Sequence, residues 1–390
     1  MKIGGNAHLT YCTNIHPGES WRDTFNAIEK YTPLVKGSLA ADEFGIGLRL
    51  SNQASEDLVE PAKRSEFSAW LQENNMYVYT LNGFPYGSFH DVRVKENVHR
   101  PDWLTDDRTA YTKRLAVILA DILPENLDGG ISTSPVSYRH WHKDVDAAME
   151  NSVTRFIDLV EFLIRLEDET GKFIHIDIEP EPDGVLENTE EFVHFYNDHL
   201  LLTGTEILRK RGIANGGEKI RRHIQCCYDV CHFAVEFEDG VQVVNRLLSE
   251  GIGIGKMQIS AALRARIINN KEEVYRALSE FDEDTYLHQA VGKKGSELMK
   301  FRDLDILLAE HPMLEEVRSH FHVPVFVDEY GLLESTQDDI SKVLDLWKNK
   351  PFTNHLEVET YTWQVLPRDL SRELPASIAR ELEWVRKRIS

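Results

Sequence analysis

Glu179, Asp229, Gln258 and Glu359 each stand at or beside the end of a short run that reads as a β-strand. Together they point to proton transfer around a bound cation. The clearest run is Phe173-Ile-His-Ile-Asp-Ile-Glu-Pro-Glu-Pro182. Its strict alternation sends Ile174, Ile176 and Ile178 to one face and His175, Asp177 and Glu179 to the other, the period of a strand. Three ionisable groups on one face are costly in a packed core unless paired, hydrogen-bonded or metal-bound. A solvated surface face is the plainer alternative. Pro180 and Pro182 stop the strand, which leaves Glu179 at its C-terminal end.

The pattern recurs. Asp229 lies near the end of Ile224–His232, three residues before His232, and Gln258 and Ser260 share a face at the end of Gly255–Ser260. His320 and His322 share a face within Ser319–Phe326, and Glu357 and Glu359 do so within His355–Trp363. If these ends converge, Glu179, Asp229 and Glu359 form a carboxylate trio that repels itself unless a cation is present. Oxygen-rich coordination suits Mg²⁺, Mn²⁺ or Zn²⁺. Gln258 either completes that shell or hydrogen-bonds a substrate. His232, His320, His322 and Trp363 are then substrate-contact candidates, although a capped turn, structural histidines and core packing account for them too. Cys226, Cys227, Cys231 and His232 also resemble a zinc cluster, but a strand sends Cys226 and Cys227 to opposite faces, which favours free buried thiols.

These runs need a scaffold. Predicted strands lie at Ala7–Asn14, Gly45–Leu50, Tyr77–Asn82, Phe173–Glu179, Ile224–His232, Gly255–Ser260, Ser319–Phe326 and His355–Trp363. Gly129–Pro135 is short and proline-terminated and is expected as an inserted loop. Amphipathic helices separate the strands, for example from about Val145 to Leu166, and a helix-rich stretch is expected over 271–310. Strands alternating with helices predict a parallel sheet, and eight such units predict a single (β/α)8 TIM barrel spanning residues 1–390 as one domain. A doubly wound sheet would carry a glycine-rich phosphate loop after its first strand, and none stands there.

Composition narrows the partners. A net charge of −21 argues against nucleic acid or an anionic membrane as a general partner. The 42% hydrophobic content is enough for a large core. No run approaches the length of a membrane span, and the N-terminus lacks the apolar core of a signal peptide. Cys12, Cys226, Cys227 and Cys231 supply no disulfide framework, which leads us to expect a reducing cytoplasm.

The order Glu179, then Asp229-x-x-His232, then a polar residue on strand six, then Glu359-Thr360 resembles the xylose isomerase-like barrel superfamily of sugar isomerases, epimerases and endonuclease IV-type phosphodiesterases. Within it, His8-Leu-Thr-Tyr-Cys-Thr-Asn-Ile-His-Pro-Gly18 and Glu359-Thr-Tyr-Thr-Trp-Gln-Val-Leu-Pro367 are similar to the EboE-type metabolite traffic proteins. That resemblance implies handling of a secondary-metabolite precursor beside a prenyltransferase-like membrane partner. It also implies metal ligation by Glu179, Asp229 and Glu359, with His232 on metal or substrate. Gln258 stands where the superfamily pattern has a histidine, which counts against a three-zinc phosphodiesterase. The competing expectations are therefore a metal-dependent isomerase or epimerase, a non-catalytic small-molecule-binding barrel and, least favoured, a metallophosphoesterase.

Overall fold

A computed structural model describes residues 1–90, 93–267, 270–363 and 373–390. Fifteen strands lie among them: β1 Lys2–Gly4, β2 Ala7–Tyr11, β3 Phe44–Arg49, β4 Met76–Asn82, β5 Gly129–Thr133, β6 Ile174–Ile178, β7 Ile224–Asp229, β8 Ile254–Ile259, β9 Ala261–Arg266, β10 Ala290–Lys294, β11 Glu297–Phe301, β12 Glu316–Val323, β13 Glu329–Tyr330, β14 Leu333–Ser335 and β15 His355–Val358. They form two sheets. The first runs β1-β2-β15-β8-β7-β6-β5-β4-β3, parallel throughout except for the antiparallel β1 flap. An isolated parallel bridge from Cys12 to Gly47 brings its β2 and β3 margins together, so the sheet is nearly closed. Helices cross over between its parallel strands, as parallel pairing requires. Their ends are set locally. Ser20 and Asp23 form a capping box on Trp21–Ser38, while Asp144 caps Val145–Thr170, which stops at Gly171 with φ +71°. Among the described residues no helix is long and apolar enough to cross a membrane.

Three expectations are corrected. Gly129–Thr133 is a strand of the first sheet, paired with β4 and β6, rather than a loop. Its small residues carry no hydrophobic periodicity, yet the sheet needs them small at that point. A Cβ on Gly130 would stand 2.8 Å from both His175 and His355. Ser319–Phe326 does not join the parallel sheet. Glu316–Val323 lies in the second sheet, of order β11-β10-β12-β9-β14-β13, antiparallel to β9 and β10. Alternation specifies a strand but not the sheet that it joins. The 271–310 stretch holds helices at Lys271–Ser279 and Leu304–Glu310, but a hairpin, β10–β11, lies between them. The last parallel strand is also shorter than predicted and ends at Val358.

The second sheet is mounted directly on the first, because β8 passes into β9 through the single residue Ser260. The closing helix Leu374–Ile389 ties both together. Its buried Glu381 accepts hydrogen bonds from Val325 N–H (3.1 Å) and the Thr360 hydroxyl (2.7 Å). Inside the parallel sheet, Lys256 and Glu357 are fully buried with Nζ and Oε2 3.0 Å apart. Burial opposes the ammonium, but the Glu357 carboxylate overcomes it and holds the Lys256 pKa above its ordinary value. Lys256 also donates to the Leu81 carbonyl (3.2 Å) and to Ser132 Oγ (3.3 Å).

Breaking a buried pair from one side leaves an uncompensated charge. Lys256→Met is therefore expected to lower unfolding free energy by about 3–5 kcal/mol, and Lys256→Met/Glu357→Leu by clearly less, as read by urea denaturation of single and double variants. Burial raises the Glu381 pKa to about 8, against hydrogen bonds that lower it. A raised folded-state value stabilises below the unfolded carboxyl pKa and is lost as pH climbs through the folded one. The melting temperature of the wild type should thus fall relative to Glu381→Gln between about pH 5 and pH 8. Parallel pH profiles of the two proteins would show the assignment mistaken.

Candidate metal centre at the strand ends

The chain just beyond the C-terminal ends of β6, β7 and β15 converges on a narrow cavity of about 50 Å³. Its lining includes Glu179, Glu181, His232, His320, His322 and Glu359, with Asn14, Asn82, Phe84, Phe89 and Tyr361. Glu179, Asp229 and Glu359 each offer a carboxylate oxygen within 4.8 Å of the others, and all three are buried. Asp229 is held by one oxygen alone. Its Oδ1 accepts from Cys231 N–H (2.8 Å), His232 N–H (3.2 Å) and Ser260 Oγ (2.6 Å). Oδ2 of Asp229 and Oε2 of Glu179 have no hydrogen-bond partner among the described residues. Asn14 (2.7 Å) and Asn82 (3.0 Å) donate to Glu359 Oε1, and the Gln258 amide donates to Oε2. Burial first, and then mutual repulsion, push the Glu179 and Glu359 pKa values well above the ordinary range.

Three histidines meet beside this trio. Nδ1 of His232 faces the Pro180 carbonyl (2.8 Å), Nδ1 of His322 the Glu359 carbonyl (3.1 Å) and Nδ1 of His320 the Gln289 Oε1 (2.8 Å). The Gln289 amide nitrogen donates to the Pro182 carbonyl at 2.8 Å, which fixes its oxygen towards His320. Each Nδ1 must therefore donate, and each Nε2 is left with its lone pair. Those lone pairs face one another. His320 Nε2 lies 3.1 Å from His232 Nε2 and 3.3 Å from His322 Nε2. Asp229 Oδ2 stands 3.8 Å and 3.9 Å from Nε2 of His232 and His322. Ligands at about 2.0–2.1 Å around a tetrahedral ion sit about 3.3–3.4 Å apart. The donor set therefore fits a divalent cation, with carbonyl acceptors orienting the imidazoles as outer partners do in metal sites. Burial, aided by the neighbouring rings, keeps the His320 pKa far below its ordinary value and brings that of His322 down to about 4. Both rings are neutral and able to ligate.

The remaining sequence candidates fall as follows. Gln258 is fully buried with both ends engaged, its amide nitrogen on Glu359 and its oxygen accepting from Cys227 Sγ at 2.8 Å. Trp363 packs against Phe326 at 6.3 Å between ring centroids and is absent from the cavity lining, where Tyr361 stands instead. The four cysteines are free and buried. Gln364 to Pro367 lie outside the described residues. Glu181, Asn14, Asn82 and Gln289 were not singled out from the sequence. For Glu181 a signal existed, since it repeats Glu179 across Pro180. Burial, more than its charged neighbours, raises the Glu181 pKa to about 8, and its Oε2 has no hydrogen-bond partner among the described residues, with His99 Nε2 3.7 Å away.

No protein-family model matches the chain, and no curated protein matches it in sequence. Solved structures of similar overall form include a xylose isomerase domain protein from Alicyclobacillus acidocaldarius, with 9% identity over 98% of this chain and 99% of that one at a TM-score of 0.48. The zinc-bound IolI protein shares 12% identity over 96% of each chain at 0.47. The probable 3-DHS dehydratase AsbF of Bacillus anthracis shares 8% over 97% of each at 0.45. Likeness at these values bears on neither activity nor substrate, which rest on the side chains above.

Protein prepared without chelator is expected to hold divalent metal by elemental analysis. Asp229→Ala should lose all of the metal bound at this end, because Asp229 faces both clusters. Gln289→Leu should weaken affinity roughly 10–100-fold by releasing the His320 ring. Unchanged loading in both variants would remove the centre. Protons compete for the same lone pairs, so affinity should fall as pH drops below neutral.

Proposed function

We propose that the protein is a divalent-metal-dependent isomerase or epimerase acting on a small hydroxy-carbonyl compound, built on a single (β/α)8 barrel of the xylose isomerase-like kind. The observation that carries this is the buried Glu179–Asp229–Glu359 trio, of which Glu179 and Glu359 line one narrow cavity together with the imidazoles of His232, His320 and His322. Glu179, Asp229 and Glu359, with His232, His320 and His322, would hold one or two ions. When bound, a divalent ion supplies Lewis-acid polarisation of substrate oxygens and lets neighbouring carboxylates ionise together.

The chain's own groups divide the remaining work. Glu179 and Glu359 are the proton-transfer pair at carbon. Asn14, Asn82 and Gln258 hold Glu359 in place. Glu181 lines the same cavity and burial raises its pKa to about 8, so it can protonate the substrate carbonyl oxygen as Glu179 removes the adjacent C–H proton. Reversal of both transfers at the neighbouring carbon, or on the other face of the same one, completes isomerisation or epimerisation. Phe84, Phe89 and Tyr361 form the apolar wall.

A second reading, metal-dependent phosphoester hydrolysis, gains from the histidine trio, which supplies the nitrogen ligands that sequence spacing did not reveal. A third, in which the site only binds its ligand, accommodates the EboE-type reading and its prenyltransferase-like membrane partner. It rests on the short sequence strings alone.

Metal-loaded protein incubated with a panel of ketoses and hydroxy-ketones in D₂O should exchange deuterium at the carbon next to the carbonyl, as read by NMR. Glu181→Gln should keep its metal and slow that exchange by about 10²–10⁴-fold. Cleavage of bis(p-nitrophenyl) phosphate without carbon exchange would establish the hydrolytic reading instead. Neither activity, with a small molecule co-purifying, would establish the binding one.

A further inference from the structure

We propose that the opposite, N-terminal end of the parallel sheet carries a separate divalent-metal site formed by Asp128, His175 and His355. The three residues come from different parts of the fold. Asp128 immediately precedes β5, His175 is the second residue of β6 and His355 opens β15. Because β15 is separated from β6 by β8 and β7, the two imidazoles meet across the sheet interior and not along a ladder. Their ring centroids are 5.1 Å apart.

Asp128 Oδ2 lies 3.7 Å from His175 Nε2 and 3.6 Å from His355 Nε2. These separations are too long for hydrogen bonds. They are close to the spacing of about 3.3–3.4 Å between ligands that share a tetrahedral ion. The three donor atoms lie within 4.8 Å of one another. Asp177 Oδ1 sits 2.7 Å from His175 Nδ1 and, as a carboxylate acceptor, orients that ring with Nε2 towards Asp128; an ion bound there takes the place of the proton that the two carboxylates hold on the ring against burial. His355 is 1% exposed, and its Nδ1 has no hydrogen-bond partner among the described residues. With Nδ1 orphaned and Nε2 3.6 Å from Asp128 Oδ2, the buried ring has a lone pair to offer an ion.

Two glycines keep this space open. A side chain at Gly130 would stand 2.8 Å from His355 Nδ1 and 2.9 Å from Asp177 Oδ2, and one at Gly255 would overlap Asp177 and His175. Access exists on the Asp128 side of the triad. Asp128 is partly exposed and lines a cleft of about 600 Å³ with Glu125, Glu167, Lys172 and Arg222. Two imidazoles and one carboxylate, with a fourth direction open to a wet cleft, favour Zn²⁺ or Co²⁺ over Mg²⁺. His175 and Glu179 are four residues apart along one strand, roughly 13 Å, so the two centres do not share ligands.

Co²⁺ titration followed by visible absorption separates the two sites. Asp229→Ala protein, disabled at the mouth, is expected to bind one equivalent with a tetrahedral cobalt spectrum. Asp128→Asn in that background should abolish the signal, and Asp128→Asn alone should reduce total cobalt by one equivalent without changing turnover at the mouth. His355→Gln serves as a second variant should Asp128→Asn not fold, as judged by circular dichroism. Absence of cobalt binding in Asp229→Ala protein, or an undiminished signal after loss of Asp128 or His355, would overturn the proposal. Neither outcome depends on the reaction catalysed at the other end.

Discussion

Ionisable side chains packed inside a nearly closed parallel sheet are the constraint on which the rest of this structure depends. Asp177, Glu357, Glu179, Asp229 and Glu359 all lie buried there, and Lys256 is the ammonium placed among them. An interior of this kind is stable only where each charge meets a partner, a proton or an ion. The structure uses all three. Glu357 is paired with Lys256, Glu181 and Glu381 are held protonated by burial, and the carboxylate trio at the mouth is arranged around space that a cation fits. Glycines stand where interior side chains need room, as at Gly47, where a Cβ would approach Glu357 to 2.8 Å.

The second sheet converts that constraint into a site. The extended chain runs from β8 through Ser260 into β9, and Ser260 itself donates to Asp229. The antiparallel sheet built on β9 then carries His320 and His322 back over the strand ends, where they meet His232 and Asp229. Secondary contacts set the direction of each of the three imidazole lone pairs. Backbone carbonyls of Pro180 and Glu359 and the side chain of Gln289 take the Nδ1 protons, leaving Nε2 free. Rigid strands and carbonyls hold this geometry more firmly than loops could.

Gln258 shows how a polar residue at a ligand position can serve the ligand instead. Its amide joins Cys227 to Glu359 and helps to fix the carboxylate, with Asn14 and Asn82 on the other oxygen. Both oxygens of Glu359 are thereby engaged, whereas Asp229 and Glu179 each keep one oxygen without a hydrogen-bond partner among the described residues.

Much of this was legible in one dimension. Period-2 alternation located β6, and with it the placement of Glu179 at a strand end. The proline stops, the Asp229-x-x-His232 spacing and the alternation of strands with helices predicted a parallel sheet whose strand ends gather carboxylates. Those features follow from local backbone geometry, which sequence pattern reports directly. What pattern could not report was partnership. The run Glu316–Val323 alternates as any strand does, and only tertiary pairing assigned it to the second sheet. Gly129–Thr133 has too little hydrophobic contrast to announce a strand, because its purpose is to leave room for His175 and His355. Asn14, Asn82 and Gln289 are ordinary amides until folding brings them to Glu359 and His320. Sequence determined which segments are extended and which of their faces are polar, because that depends on neighbours along the chain. Which carboxylates, imidazoles and amides meet was decided by long-range packing alone, because a lone pair acquires its role only from the groups that surround it in space.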